Sequence, residues 1–198
     1  MSLFRKLFGV ATTHSDEEKE INKTSLETKL PIDEQFIYNF KTNGGKFIYC
    51  DSLIEVKEQF ENILEENDWF ESEALCYEPS LFCMLQENNI LFDNPKNPNF
   101  LLATCENLVS DEGSISFSSN QIKEKKTHEL PVNMVIIANI SQIITGRSEI
   151  LVAIKNKYKK EYPSNITTIK YFEKAQEEHF TQYGSAAKNM YLILLEDL

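Results

Sequence analysis

The chain has 198 residues, of which 41% are hydrophobic and 26% charged, and this composition suits one globular core of ordinary size. Its net charge of −11, without a dense lysine and arginine face, argues against DNA or RNA as a partner. The four cysteines form no C-x-x-C pair, so we expect buried free thiols in a reducing compartment, and no metal ion, iron–sulfur cluster or other cofactor bound by this chain.

The first 30 residues differ in composition from the rest and predict a mobile tail with a short amphipathic start. Its apolar residues are Leu3, Phe4, Leu7 and Phe8. Either this start docks on a partner or a membrane surface, or it packs on its own domain. It is too short for a signal peptide, and no window of about 18 apolar residues exists to span a bilayer. The sequence therefore predicts a cytoplasmic protein with one domain over 31–198, which folds alone or as a homo-oligomer.

The domain begins with a predicted helix, strand and second helix. The first helix covers 31–42 and ends at Gly44 and Gly45, and a strand follows over 46–50. Ser52 and Glu55 form an S-x-x-E capping box, which predicts the start of a helix. The apolar residues of this helix recur at helical spacing and are Leu53, Val56, Phe60, Ile63 and Leu64.

Strands and helices continue to alternate along the chain. Further strands are predicted at 74–77, 89–92, 101–105, 114–117, 134–138 and 191–195. Further helices are predicted at 80–85 and 148–158. The last two strands are continuously apolar, which is typical of strands covered by helices on both faces. We therefore predict an α/β fold: a three-layer structure with a mainly parallel sheet.

An acidic glycine turn is the first candidate for a ligand site. Asp111, Glu112, Gly113 and Ser114 lead directly into a predicted strand. Ligands bind beyond strand ends in open α/β sheets, and a glycine lets the backbone approach a ligand closely. The alternative is an ordinary surface turn, for which Asp, Glu and Gly are also suited.

Two further groups of polar residues are candidates. Lys125, Lys126 and His128 can gather a carboxylate or a phosphate, although charge runs of this kind also form solvated loops. His179 lies shortly before Gly184 and the final strand, and a histidine beside a carboxylate there can act as a general acid or base. The alternative for His179 is a surface or packing role.

Several of these segments, in the same order, resemble the LUD-domain family, the lactate-utilisation group. The family's A-E-T-G-T turn is similar to Ser110-Asp-Glu-Gly-Ser114, and its basic residue before Leu-Pro is similar to Lys125 before Leu130-Pro131. Its G-P-S-x-T-A-D-I-E signature resembles 162–170, where Ser164 agrees but Thr168 and Lys170 replace the two carboxylates. Its terminal H-G-P segment resembles Tyr183-Gly184-Ser185.

The resemblance implies a fold similar to the NagB, RpiA and CoA-transferase group. It also implies a cluster-free subunit or accessory protein in the oxidation of L-lactate, or a similar 2-hydroxy acid, to pyruvate, with iron–sulfur proteins as partners. The alternative is a non-catalytic binding module for a small anionic metabolite or a CoA-like ligand. Whether the chain is itself an enzyme is left open by the sequence.

Overall fold

The computed structural model describes residues 30–172 and 188–197. The helices are α1 Ile32–Thr42, α2 Leu53–Asn67, α3 Phe82–Glu87, α4 Ser119–Ile122 and α5 Ile150–Lys157. The strands are β1 Lys46–Cys50, β2 Ala74–Leu75, β3 Phe100–Ala103, β4 Asn107–Val109, β5 Ser114–Phe117, β6 Asn133–Asn139, β7 Ile143–Ile144, β8 Thr167–Ile169 and β9 Asn189–Leu195. Residues 1–29 of the predicted N-terminal tail lie outside the described residues, and so do His179 and Gly184.

The predicted helix–strand–helix start of the domain is confirmed. Helix α1 ends at a turn in which Gly44 adopts a φ of 87°, a conformation that favours glycine. Ser52 caps α2 by accepting a hydrogen bond from the backbone N–H of Glu55 at 3.3 Å. The Glu55 side chain accepts in return from the backbone N–H of Asp51 at 2.7 Å, one residue before the position expected in a capping box.

A five-stranded, all-parallel sheet in the order β1-β9-β6-β3-β2 forms the centre of the structure, as predicted. Strands β6 and β9, the two continuously apolar segments, pair along seven residues. The strand predicted at 89–92 is wrong, because Leu91 forms only one isolated bridge with Glu73 and its side chain is 64% exposed. Asn89 has a φ of 55°, which takes it out of the extended conformation that a strand requires.

A second, mixed sheet in the order β7-β4-β5-β8 was predicted only at β5. Paired residues of neighbouring strands share a face, so this sheet has one apolar face and one partly polar face. The apolar face belongs to the main core and contains Leu108, Ile115, Phe117 and Ile169. The other face contains the row Asn107, Ser116 and Thr168, which are partners in register.

Two buried clusters, one on each face of the central sheet, give the three layers. Helices α2 and α3 pack on one face through Phe60, Leu64 and Leu85. Helix α1 and the second sheet pack on the other face, where Phe36 and Phe40 of α1 contribute. No helix in the described ranges is long and apolar enough to cross a membrane.

Candidate functional site

A cavity of about 490 Å³ lies at the carboxyl ends of β3 and β6. Its walls are residues 104–107, which follow β3, the segment Asn139, Ser141 and Gln142 at the end of β6, and helix α5. Open parallel sheets bind ligands at this edge, and known ligand pockets have volumes of about 300–1,000 Å³. The cavity is therefore a candidate ligand site.

Glu106 is a fully buried carboxylate in the cavity wall. Its oxygens accept hydrogen bonds from Ser118 Oγ at 2.6 Å, Gln121 Nε2 at 3.2 Å, Tyr158 OH at 3.1 Å and Lys157 Nζ at 2.9 Å. Ser118 is the residue before α4 and Gln121 lies within it, whereas Lys157 is the last residue of α5 and Tyr158 follows it. The buried carboxylate therefore joins the start of α4 to the end of α5.

The donors keep Glu106 ionised. Burial alone would raise the pKa of this carboxyl, but the hydrogen bonds from Ser118, Lys157 and Gln121, with the positive charge of Lys157, outweigh burial and lower it. The pKa of Lys157 is raised, because its bond to Glu106 outweighs the opposite effect of burial. The pair is therefore a carboxylate and an ammonium at neutral pH, and Glu106 is a poor proton acceptor there.

Lys157 also faces the cavity, and its side chain is 49% exposed. An ammonium has three N–H donors; the bond to Glu106 uses one of them, and Tyr158 is a second hydrogen-bonding neighbour. Helix α5 is held against the second sheet by Ile150 and Ile154, which pack on Val109, so the position of Lys157 is fixed by apolar contacts. This lysine can bind an anionic group of a ligand.

The other polar groups of the cavity wall mostly bond to the protein itself. Gln142 Nε2 donates to the carbonyl of Cys105 at 2.7 Å, and Ser141 Oγ donates to Asp197 at 2.5 Å. The Asn107 side chain is only 6% exposed, and its Oδ1 has no hydrogen-bond partner among the described residues. Burial raises the pKa of the Cys105 thiol, which keeps it protonated and unsuited to act as a nucleophile.

The acidic turn lies between β4 and β5 in the chain and packs against helix α1. Asn39 Nδ2 donates to the carbonyl of Ser110 at 2.8 Å, and Asn43 Nδ2 donates to that of Glu112 at 2.7 Å. Gly113 has a φ of 62°, and a Cβ there would lie 2.3 Å from the backbone of Asn39. The glycine is thus required for close packing of the turn on α1.

The side chains of the turn also bond close by. Glu112 pairs with Arg147, whose Nε lies 2.6 Å from Oε2, and Ser114 Oγ donates to the same oxygen at 3.2 Å. The Asp111 carboxylate is exposed, and its Oδ2 lies 3.0 Å from the point where a Cβ on Gly146 would stand.

Lys125, Lys126 and His128 lie in the connection between α4 and β6, beyond the end of β5 that is opposite to the acidic turn. Lys126 and His128 are exposed and Lys125 is partly buried. Ser164 joins this region, because its backbone N–H donates to Ser119 Oγ at 3.0 Å and its Oγ donates to Glu124 at 3.3 Å. The structure therefore brings the signature segment to the lysine loop.

Sequence reasoning missed Glu106, Asn107 and Lys157. The available signal was Cys-Glu-Asn directly after an apolar strand, since a carboxylate and an amide at a strand end are placed to meet a ligand. Within the described ranges, no three His, Cys, Asp or Glu side chains are arranged to hold a metal ion.

The fold is similar to that of a solved protein. The chain is similar to the crystal structure of a DUF162 family protein from Deinococcus radiodurans, with a TM-score of 0.59 over 83% of this chain and 96% of that chain. Their sequences are 13% identical. The two share a fold. No family model and no curated protein matches the sequence.

Proposed function

We propose that the protein is a divergent LUD-domain subunit or accessory protein of 2-hydroxy-acid utilisation, which binds a small hydroxy acid such as L-lactate in the cavity at the carboxyl edge of the parallel sheet. DUF162, the family of the similar structure, is the LUD-domain family, and the chain's own motifs resemble that family. The observation that carries the proposal is Lys157: a half-exposed ammonium in a cavity wall, held in place by a buried carboxylate.

The hydrogen-bonding capacity of Lys157 supports an anionic ligand. Glu106 is already neutralised by Lys157 and hydrogen-bonded by three further side chains, so it presents no unbalanced charge to the cavity. A carboxylate that enters can accept hydrogen bonds from the remaining N–H groups of Lys157.

Ligand-dependent thermal unfolding of the purified protein tests this proposal. L-Lactate should raise the apparent Tm, since a ligand present at about 100 times its Kd stabilises the folded state by about 2.7 kcal/mol. Lys157→Gln should abolish the ligand-induced shift and Lys157→Arg should keep part of it. The control is Lys155→Gln, an exposed lysine on the same helix that does not line the cavity. Equal shifts in the two glutamine variants would reject Lys157 as the anion contact.

A second function follows from the size of the cavity. Water occupies about 30 Å³ per molecule, so 490 Å³ is far more than the six non-hydrogen atoms of lactate fill. This observation favours the alternative, a binding module for a larger anionic ligand such as a CoA-like molecule. A Tm shift with CoA, but none with lactate, pyruvate or glycolate, would select it.

Iron–sulfur proteins are the proposed partners of the first function. The test is dye reduction with L-lactate as electron donor, measured for this chain alone, for the candidate iron–sulfur proteins alone and for the mixture. Activity that requires the mixture supports the subunit role. Equal activity without this chain would remove it.

A further inference from the structure

Asn107 is the one residue of the cavity wall whose buried side-chain acceptor has no partner among the described residues. An unmade hydrogen bond at a buried acceptor costs about 1–3 kcal/mol, so native structures rarely leave one without a reason. We infer that Asn107 Oδ1 accepts a hydrogen bond from the hydroxyl group of the bound acid, while Lys157 binds its carboxylate. This inference rests on the proposed function and adds the residue that recognises the hydroxyl.

The backbone around Asn107 is already satisfied, which isolates the side-chain amide. The backbone N–H of Asn107 donates to Ser116 Oγ at 3.0 Å, and Ser116 Oγ in turn donates to the carbonyl of Asn107 at 3.2 Å. Strand β4 therefore stays paired whichever side chain stands at this position. The amide is not needed to hold the strand.

The strand register brings the amide to the same side as Lys157. Asn107 and Val109 alternate with Leu108, so they project to one face of the second sheet. Val109 packs on Ile150 and Ile154 of α5, so this face looks toward the helix that carries Lys157. An acceptor and a cation that both line one cavity fit a ligand that has a hydroxyl donor and a carboxylate.

Three acids separate the contributions of the two residues. L-Lactate has a hydroxyl at C2, propionate has only hydrogen there, and pyruvate has a carbonyl oxygen, which accepts but does not donate. By isothermal titration calorimetry, the wild-type protein should bind lactate about tenfold or more tightly than propionate and pyruvate, since a net hydrogen bond of about 1.4 kcal/mol corresponds to a factor of ten.

Asn107→Leu is the test variant, because leucine has nearly the same shape but no polar atom. It should bind lactate and propionate equally, at about the propionate affinity of the wild-type protein. Its Tm should equal or exceed that of the wild-type protein, since the change removes an unpartnered buried acceptor. A merely structural amide would instead lower the Tm on substitution and leave the preference for lactate unchanged.

Each of the other outcomes refutes either the inference on Asn107 or the proposed function. If lactate and propionate bind the wild-type protein equally, Asn107 does not recognise the hydroxyl, and the inference fails while the proposed function stands. If pyruvate binds as tightly as lactate, the amide is not acting as an acceptor, and the inference also fails. If none of the three acids binds, the proposed function fails together with it.

Discussion

The replacement of Glu106 by glutamine is the most direct test of the buried ion pair. Glu106→Gln keeps the size of the side chain but removes its charge and gives it an N–H₂ group. The new N–H₂ group would face the donor groups of Ser118, Tyr158 and Lys157. One of the two oxygens that accept their hydrogen bonds would be lost. Glu112→Gln is a matched control, because Glu112 also pairs with a cation but the pair lies near the surface, with Arg147 52% exposed.

The two substitutions should differ strongly in their effect on the free energy of unfolding. Removal of one partner of a buried pair costs about 3–5 kcal/mol. Because Lys157 is half exposed, solvent screens part of its interaction, and we expect about 3 kcal/mol for Glu106→Gln. An exposed pair contributes about 0–1 kcal/mol, so Glu112→Gln should change the free energy of unfolding by no more than about 1 kcal/mol.

Urea denaturation at pH 7 measures the difference. With a slope near about 2 kcal/mol/M, the midpoint of Glu106→Gln should lie about 1.5 M below that of the wild-type protein. The midpoint of Glu112→Gln should lie within about 0.5 M of it. Midpoints of the two variants that agree with each other would refute the description of Glu106 as a buried, charged centre of this network.

Three further predictions concern pH, the acidic turn and the thiols. The pKa of Glu106 is lowered in the folded state, so its contribution to stability is present above the unfolded pKa of about 4.3 and is lost as pH falls through the lower folded value. Glu106→Gln should therefore flatten the decline of the urea midpoint as pH falls below about 4.3. Gly113→Ala should lower the free energy of unfolding by more than about 2 kcal/mol in the same assay, because the positive φ and the 2.3 Å approach to α1 exclude a Cβ. The control is Gly146→Ala, whose new Cβ would meet only the movable carboxylate of Asp111 and should lower the free energy of unfolding by less. Native protein should react with a thiol reagent at the exposed Cys83 alone, since the other three cysteines are buried with raised pKa values. Cys83→Ser should remove that reaction. Reaction of a second thiol without denaturant would contradict the burial of the other three cysteines.

The central sheet was predictable because its signals are local. Strands β6 and β9 are continuous apolar runs, and Ser52 marks the start of α2 by the spacing of its capping partner. The second sheet was not predictable, because β4, β7 and β8 have only two or three residues each, too few for a period to appear. The strand prediction at 89–92 was wrong because the apolar residue Ile90 is buried as part of a loop. It packs under α3 and does not belong to a strand.

The candidate site was harder to predict because its partners are distant in sequence. Ser118 lies 12 residues after Glu106, and Lys157 lies 51 residues after it. A lone carboxylate forms no motif, and only the fold shows that donors from two helices meet it. The acidic turn is a contiguous segment and therefore has the form of a sequence motif. Its glycine is explained by the close contact with α1.

The strand register links Thr168 with the cavity residue Asn107. Thr168 lies in a segment that resembles the LUD-domain signature, at the place where that signature has a carboxylate. It pairs with Ser116, and Ser116 pairs with Asn107. These three side chains form one row on the face of the second sheet that looks toward α5. A carboxylate at 168 would add a negative charge to that row and weaken the binding of an anion by Lys157. With threonine there, the row is uncharged, and in the proposed function Lys157 is the group that attracts the anionic ligand.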